Sequence, residues 1–137
     1  MRPTSLALVF SGGVLGVLAR ELLMFVVPDT GDLPVAVFVA NLVGALLLGM
    51  LLEALAADTE SRRAASLRVL FGTGVLGGFT TYSAVAQAVA LLLVSGSGWL
   101  ALGYGLATVL FGAVATWCGV VFGARIARAR SGVTEHG

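Results

Sequence analysis

Lysine is absent from this chain of 137 residues, and charge of either sign is scarce. Charged residues make up 11% of the sequence, against about 25% in an ordinary soluble domain. There is one cysteine and one histidine. Cys118 lies in an apolar stretch, which excludes an intrachain disulfide and any cysteine-based metal site. His136 is the next-to-last residue, in a polar tail. The apolar runs hold no carboxylate pair, no histidine and no Ser-His-Asp set, and phosphate-cradle and metal-ligand spacings are missing as well. These absences argue against an enzyme. A net charge of +1 implies no nucleic-acid partner.

What is present is apolar length. Hydrophobic residues make up 58% of the chain, and the 56 residues from Val69 to Ala124 include no charge. Leu33–Leu52 is an uncharged run of 20 and Pro3–Ala19 one of 17. A soluble surface cannot be covered from what remains. About 20 apolar residues cross a bilayer, so the long run predicts two spans and each shorter run one. The expected architecture is a single all-α transmembrane domain over 1–137, with spans at about 5–27, 34–55, 68–94 and 99–126. The first span is too long for a signal-peptide core and lacks a cleavage site in a polar flank. A polar connection over Ala56–Leu67 and the turn Ser95-Gly96-Ser97-Gly98 separate the later spans.

Every basic residue is arginine. With four spans, both termini and the middle loop share one side. That side holds Arg2, Arg62, Arg63, Arg68, Arg125, Arg128 and Arg130; the other has at most Arg20, beside Asp29 and Asp32. The positive-inside rule places both termini of this multi-pass protein in the cytoplasm, with the chain in the cell membrane.

Polar residues inside the spans carry the functional information. Leu33–Leu52 contains 12 Leu, Val or Phe residues, together about −4 to −7 kcal/mol toward insertion. The span therefore tolerates Asn41, which must find a partner or face a wet cavity. In span 3, Gly72-Thr-Gly-Val-Leu-Gly-Gly-Phe-Thr-Thr-Tyr-Ser83 places four glycines before three hydroxyls. Glycine disfavours helix and hydroxyls offer the backbone other partners. The expectation is a third helix broken near the membrane centre, where freed carbonyls make a cation site. The Gly74-xxx-Gly78 spacing alone would mean close helix packing. Packing is the reading for Gly12, Gly13 and Gly16 and for Gly119 with Gly123. Arg20 and Glu21 are neighbours that need not pair; Arg20 either snorkels to the interface or supplies positive charge to an aqueous vestibule. Tyr104 and Thr108 share a helix face and either line a pore or, for the threonine, bond back to the backbone. Gln87 extends the polar face of Ser83.

Three motifs in order, Gly12-Gly-Val-Leu-Gly-Val-Leu-Ala-Arg20, Asn41-Leu-Val-Gly-Ala-Leu-Leu-Leu-Gly49 and Gly77-Gly-Phe-Thr-Thr-Tyr-Ser83, closely resemble the Fluc/CrcB fluoride channels over essentially the whole chain. The resemblance implies passive, fluoride-specific export that lowers cytoplasmic fluoride. It also implies an antiparallel dimer with two pores and a central structural sodium ion (Na+) that is not transported. Carried over by position, Gly77 and Thr80 hold the sodium through their carbonyls. Asn41 is the pore asparagine and Arg20 the vestibule arginine. Thr81, Ser83, Tyr104 and Thr108 supply pore hydroxyls. In the family the Thr-Thr pair is followed by Phe-Ser-Thr-Phe, whose rings line the pore; here Tyr82 and Val85 stand at those ring positions. Val85 lacks a ring, and the arginine bias suits one orientation only. Both departures fit one subunit of a heterodimer with an inverted paralogue, as against a homodimer. The competing classes are a proton-coupled small multidrug exporter, which needs a carboxylate deep in span 1 where only Glu21 near its end is available, and a non-transporting scaffold, in which the polar residues are helix glue.

Overall fold

The computed structural model describes residues 3–29, 31, 33–56 and 61–134, with the helical backbone alone over 129–134. Arg2, Asp32, His136 and the acidic part of the middle connection lie outside the described residues, as does the side chain of Arg130. The fold is all-α. Its elements are α1 (Pro3–Val26), α2 (Val35–Ala54), α3 (Arg62–Leu67), a widened π-type stretch (Arg68–Leu76), α4 (Gly77–Phe79), α5 (Tyr82–Val94) and α6 (Gly98–Thr134). Four helical segments are long and apolar enough to cross a membrane: Pro3–Val26, Val35–Ala54, Arg62–Val94 and Gly98–Arg128.

Local chemistry sets the boundaries. Pro3 opens α1, where its missing N–H leaves no intrahelical bond unmade. Beyond Val26 the chain turns through Gly31, whose φ of 59° suits glycine. Pro34 immediately precedes α2. The third span starts at Arg62, six residues before the expected boundary at 68, because Ser61 caps it: its hydroxyl accepts from the N–H groups of Arg63 (3.2 Å) and Ala64 (3.4 Å). The arginine-rich segment read as tail continues α6 to Thr134, past the expected end at 126; Arg and Ala are strong helix formers. Gly96, with φ 82°, makes the tight turn between α5 and α6.

The helices pair by glycine. A Cβ on Gly12 would come within 2.5 Å of Leu70 O, and one on Gly16 would collide with Val75 O and Phe79 N. Gly74 Cα stands 3.0 Å from where a Cβ on Gly12 would lie, and Gly78 presses on Gly13. The packing reading of Gly74-xxx-Gly78 therefore holds for the contact with α1. On the other side of the molecule, Gly49 faces Thr116 O, Gly119 faces Leu46 O, and Gly123 faces Met50 O. Such backbone-to-backbone approach replaces the hydrophobic effect as the cohesive force between helices in lipid.

These contacts also fix direction. Residues 12 and 16 meet 70–79, so spans 1 and 3 run parallel; residues 46–54 meet 116–123, so spans 2 and 4 run parallel. Pro3, Leu55, Arg62–Arg68 and the arginines of α6 therefore share one end. There the guanidinium of Arg68 donates to Leu55 O just past the end of α2, a position where positive charge is stabilised by the helix dipole. A small apolar core of Val37, Val85, Ala88, Leu92, Ala101 and Tyr104 joins α2, α5 and α6. Large side chains such as Phe25, Trp99 and Val109 are turned outward, which suits a surface solvated by lipid or by another subunit.

Candidate functional site

The site is built around an interruption of the third span. α4 stops at Phe79. Thr80 (φ −83°, ψ 154°) and Thr81 (φ −148°, ψ 118°) are extended, and α5 resumes at Tyr82. In an unbroken helix the Thr81 N–H would donate to Gly77 O and the Ala84 N–H to Thr80 O. Here Thr81 N–H donates to Asn41 Oδ1 at 2.8 Å. Ala84 N–H donates to Thr81 Oγ1 at 3.3 Å, capping α5. The carbonyls of Gly77 and Thr80 are thereby released from the ladder. Asn41 completes its pairing through Nδ2, which donates to Thr81 O at 3.0 Å. One amide on α2 thus holds both backbone groups of one extended residue, and the partner that Asn41 needs at membrane depth is Thr81. Thr80 turns its own hydroxyl back onto Leu76 O at 2.9 Å.

Asn41, Gly77 and Thr80 come together along one cleft of about 290 Å³, which Gly44, Gly72 and Thr116 also line. Gly44 is required there, since a Cβ on it would collide with the Thr80 methyl. Gly44 and Thr116 carried no assigned role in the sequence reading. The signal for Gly44 was its place one turn after Asn41; Thr116 offered only a hydroxyl in an apolar span, and it bonds back to Gly112 O at 2.9 Å.

A second group of donors lies beside the first. Thr81 Oγ1 and Ser83 Oγ are 3.1 Å apart. The pair has two O–H protons, and only one can lie between the oxygens. Thr81 Oγ1 also accepts from Ala84 N–H, so whichever hydroxyl donates within the pair, the other keeps a proton for an outside acceptor. Tyr82 is 86% exposed, and Ser83 and Gln87 are exposed on the same helix. Val85 points the other way, into the core.

The residues of span 4 stand apart. Tyr104 is buried in that core, and its hydroxyl donates to Pro34 O at 3.2 Å. Thr108 donates to Tyr104 O at 2.8 Å, the back-bonding alternative. Rings gather here that the sequence reading did not single out: Phe38, one turn before Asn41, has its centroid 6.4 Å from that of Tyr104 and meets Phe111 edge-on at 6.1 Å. Arg20 and Glu21, neighbours that need not pair, do so here, with Nη2 to Oε1 at 3.3 Å; the long guanidinium folds sideways across the helix surface to reach. No cluster of three or more His, Cys, Asp or Glu exists among the described residues; the released carbonyls are hard oxygen donors.

The fold and this site define a small four-span α-helical membrane protein whose neutral hydrogen-bonding side chains gather at an interrupted span. Residues 7–120 match the family model described as CrcB-like protein, Camphor Resistance (CrcB). The chain is 45% identical over 124 residues to the fluoride-specific ion channel FluC 2 of Leifsonia xyli, covering 89% of this chain and 85% of that one. It is 41% identical to FluC 1 of Cutibacterium acnes (85% and 82% covered). It is 40% identical to the fluoride-specific ion channel FluC of Deinococcus radiodurans (84% and 91%). The chain belongs to the CrcB family.

Proposed function

We propose that this chain forms a passive, fluoride-selective pore that lets F− leave the cell. The observation that carries the reading is its identity to relatives named fluoride-specific ion channels over most of both chains. The geometry supports it chemically. A small, strongly hydrated anion must exchange its water for N–H and O–H donors. The second N–H of Asn41, the spare proton of the Thr81–Ser83 pair and the Tyr82 hydroxyl are such donors. Aromatic edges, positive in their quadrupole, can also face an anion. From Val69 to Ala124 there is no carboxylate to repel it. The membrane potential, inside negative, drives F− outward by about 2.3 kcal/mol per 100 mV without any further energy source. An ion channel is not an enzyme class.

Gly77 and Thr80 would hold a sodium ion through their released carbonyls. Bound, it would offset the cost of anions in a low-dielectric site. One chain offers two such oxygens, and a second subunit in inverted orientation would offer two more. That supports an antiparallel dimer, as homodimer or with an inverted paralogue; the numerals in the relatives' names, FluC 1 and FluC 2, support paralogue pairs. The common end of Pro3, Arg62–Arg68, Arg125 and Arg128 would face the cytoplasm. The test is reconstitution of the purified chain in liposomes with a fluoride electrode, chloride being the control. Fast fluoride-selective efflux is expected. Rescue of a silent chain by a co-expressed inverted paralogue would establish a heterodimer, and silence in both preparations would overturn the reading.

A further inference from the structure

Arg20 lies on the stripe of α1 that packs on the third span. Gly16, Arg20 and Met24 follow at intervals of four and share a face. Gly16 abuts Phe79, and Met24 lines a pocket with Ala84, Gln87 and Ala88. Arg20 sits between these two contacts, about 6 Å along the axis from each, and so lies level with Thr80–Ser83. Among the described residues it is the one cation at the depth of the spare hydroxyl protons. Its side chain is 20% exposed and that of Glu21 is 59% exposed. Glu21 Oε1 accepts from both Nε (3.4 Å) and Nη2 (3.3 Å) of Arg20. No other ion pair forms among the described residues. The remaining described carboxylate at this end, Asp29, lines the same pocket as Met24, so the approach to Arg20 is acidic on balance.

We propose that Glu21 is a tethered competitor for the permeant anion at Arg20 and sets the fluoride concentration at which the pore saturates. This inference rests on the fluoride-conducting reading above. A carboxylate oxygen and a fluoride ion ask for the same N–H donors, so an incoming anion must displace Glu21 before it can use the guanidinium. At low fluoride the tethered carboxylate wins; at high fluoride mass action removes it.

The test measures fluoride efflux from liposomes against fluoride concentration for the wild type, Glu21→Gln and Glu21→Asp, each first shown by size exclusion and circular dichroism to be folded. Glu21→Gln is expected to lower the half-saturating fluoride concentration by about fivefold, the upper end for an ion pair with one partner partly exposed. Its maximal rate should stay within about twofold, and Glu21→Asp should remain near wild type. A residue that merely supports structure would lower the maximal rate and leave half-saturation unmoved, and that result overturns the proposal. If Glu21→Gln fails to fold, Arg20→Gln is compared with the double variant Arg20→Gln/Glu21→Gln. With Arg20 gone there is nothing left to compete for, so the double variant should keep the half-saturation of Arg20→Gln; a fall of about fivefold between the two overturns the proposal. A wild type that conducts no fluoride defeats the functional reading instead, so the two failures are distinct.

Discussion

Replacing Asn41 by leucine tests the central claim about how the interruption is held. Leucine matches asparagine in side-chain shape, with the same number of heavy atoms branching at Cγ, and suits the surrounding helix, so steric cost is small. What is lost is the pair of bonds to Thr81, at 2.8 and 3.0 Å. Interhelical hydrogen bonds in a membrane average about 0.6 kcal/mol, because the separated helices also find partners. Two bonds then set a floor of roughly 1.2 kcal/mol. If Thr81 N–H and C=O are instead stranded without partners, each costs about 1–3 kcal/mol. The leucine side chain recovers about 0.5 kcal/mol through its own transfer to lipid. A net loss of about 2–3 kcal/mol is expected, read as a shift in the denaturation midpoint of the purified protein in detergent. Fluoride flux should fall in the same variant even where it remains folded, since the released carbonyls and the Thr81 hydroxyl lose their fixed position. A variant within about 0.5 kcal/mol of wild type, conducting normally, would show that Asn41 does not hold Thr81 and would refute the argument.

Other substitutions probe other parts of the fold. Gly16→Val should destabilise the protein by more than about 2 kcal/mol in the same unfolding assay, because its Cβ has no room beside Val75 O and Phe79 N. Gly13→Ala, three residues earlier, meets nothing within 4 Å and should be neutral or mildly stabilising through helix propensity. Tyr104→Phe removes the bond to Pro34 O while keeping the ring in the core. A loss of about 1 kcal/mol is expected, with faster amide exchange confined to the first turn of α2.

Composition alone made the four spans legible, because uncharged runs of that length admit no other solvent. Their ends were less legible. Ser61 is one residue among several polar ones in its connection, and only the structure shows its hydroxyl on two N–H groups; the tail arginines mark an end to hydrophobicity without marking an end to helix. The glycine spacings of spans 1 and 4 announced close approach without saying which helix approaches, and only the structure pairs span 1 with span 3 and span 2 with span 4. Asn41 announced that it needed a partner without saying which. Its partner is 40 residues away, and nothing local in the chain encodes that distance. Val85 stands at a ring position of the family pattern without a ring, and its apolar side chain packs in the core between α2, α5 and α6. Arg20 and Glu21 leave their helix in different directions, so their pairing depends on the reach of the guanidinium, which the sequence left open.

The glycine seams bear on how this protein tolerates change. By hydropathy, Gly→Ala→Val is a series of steadily better membrane residues. At Gly12, Gly16, Gly119 and Gly123 that order runs backwards, because the space a side chain would need is already filled by carbonyl oxygens of a neighbouring helix. At Gly13, Gly103 and Gly112, where nothing stands within 4 Å, the ordinary order returns. Two populations of glycine, chemically identical and interleaved along the same helices, therefore answer to opposite rules. A catalogue of natural or disease-like variants in such a chain sorts by this geometry rather than by how apolar the new residue is.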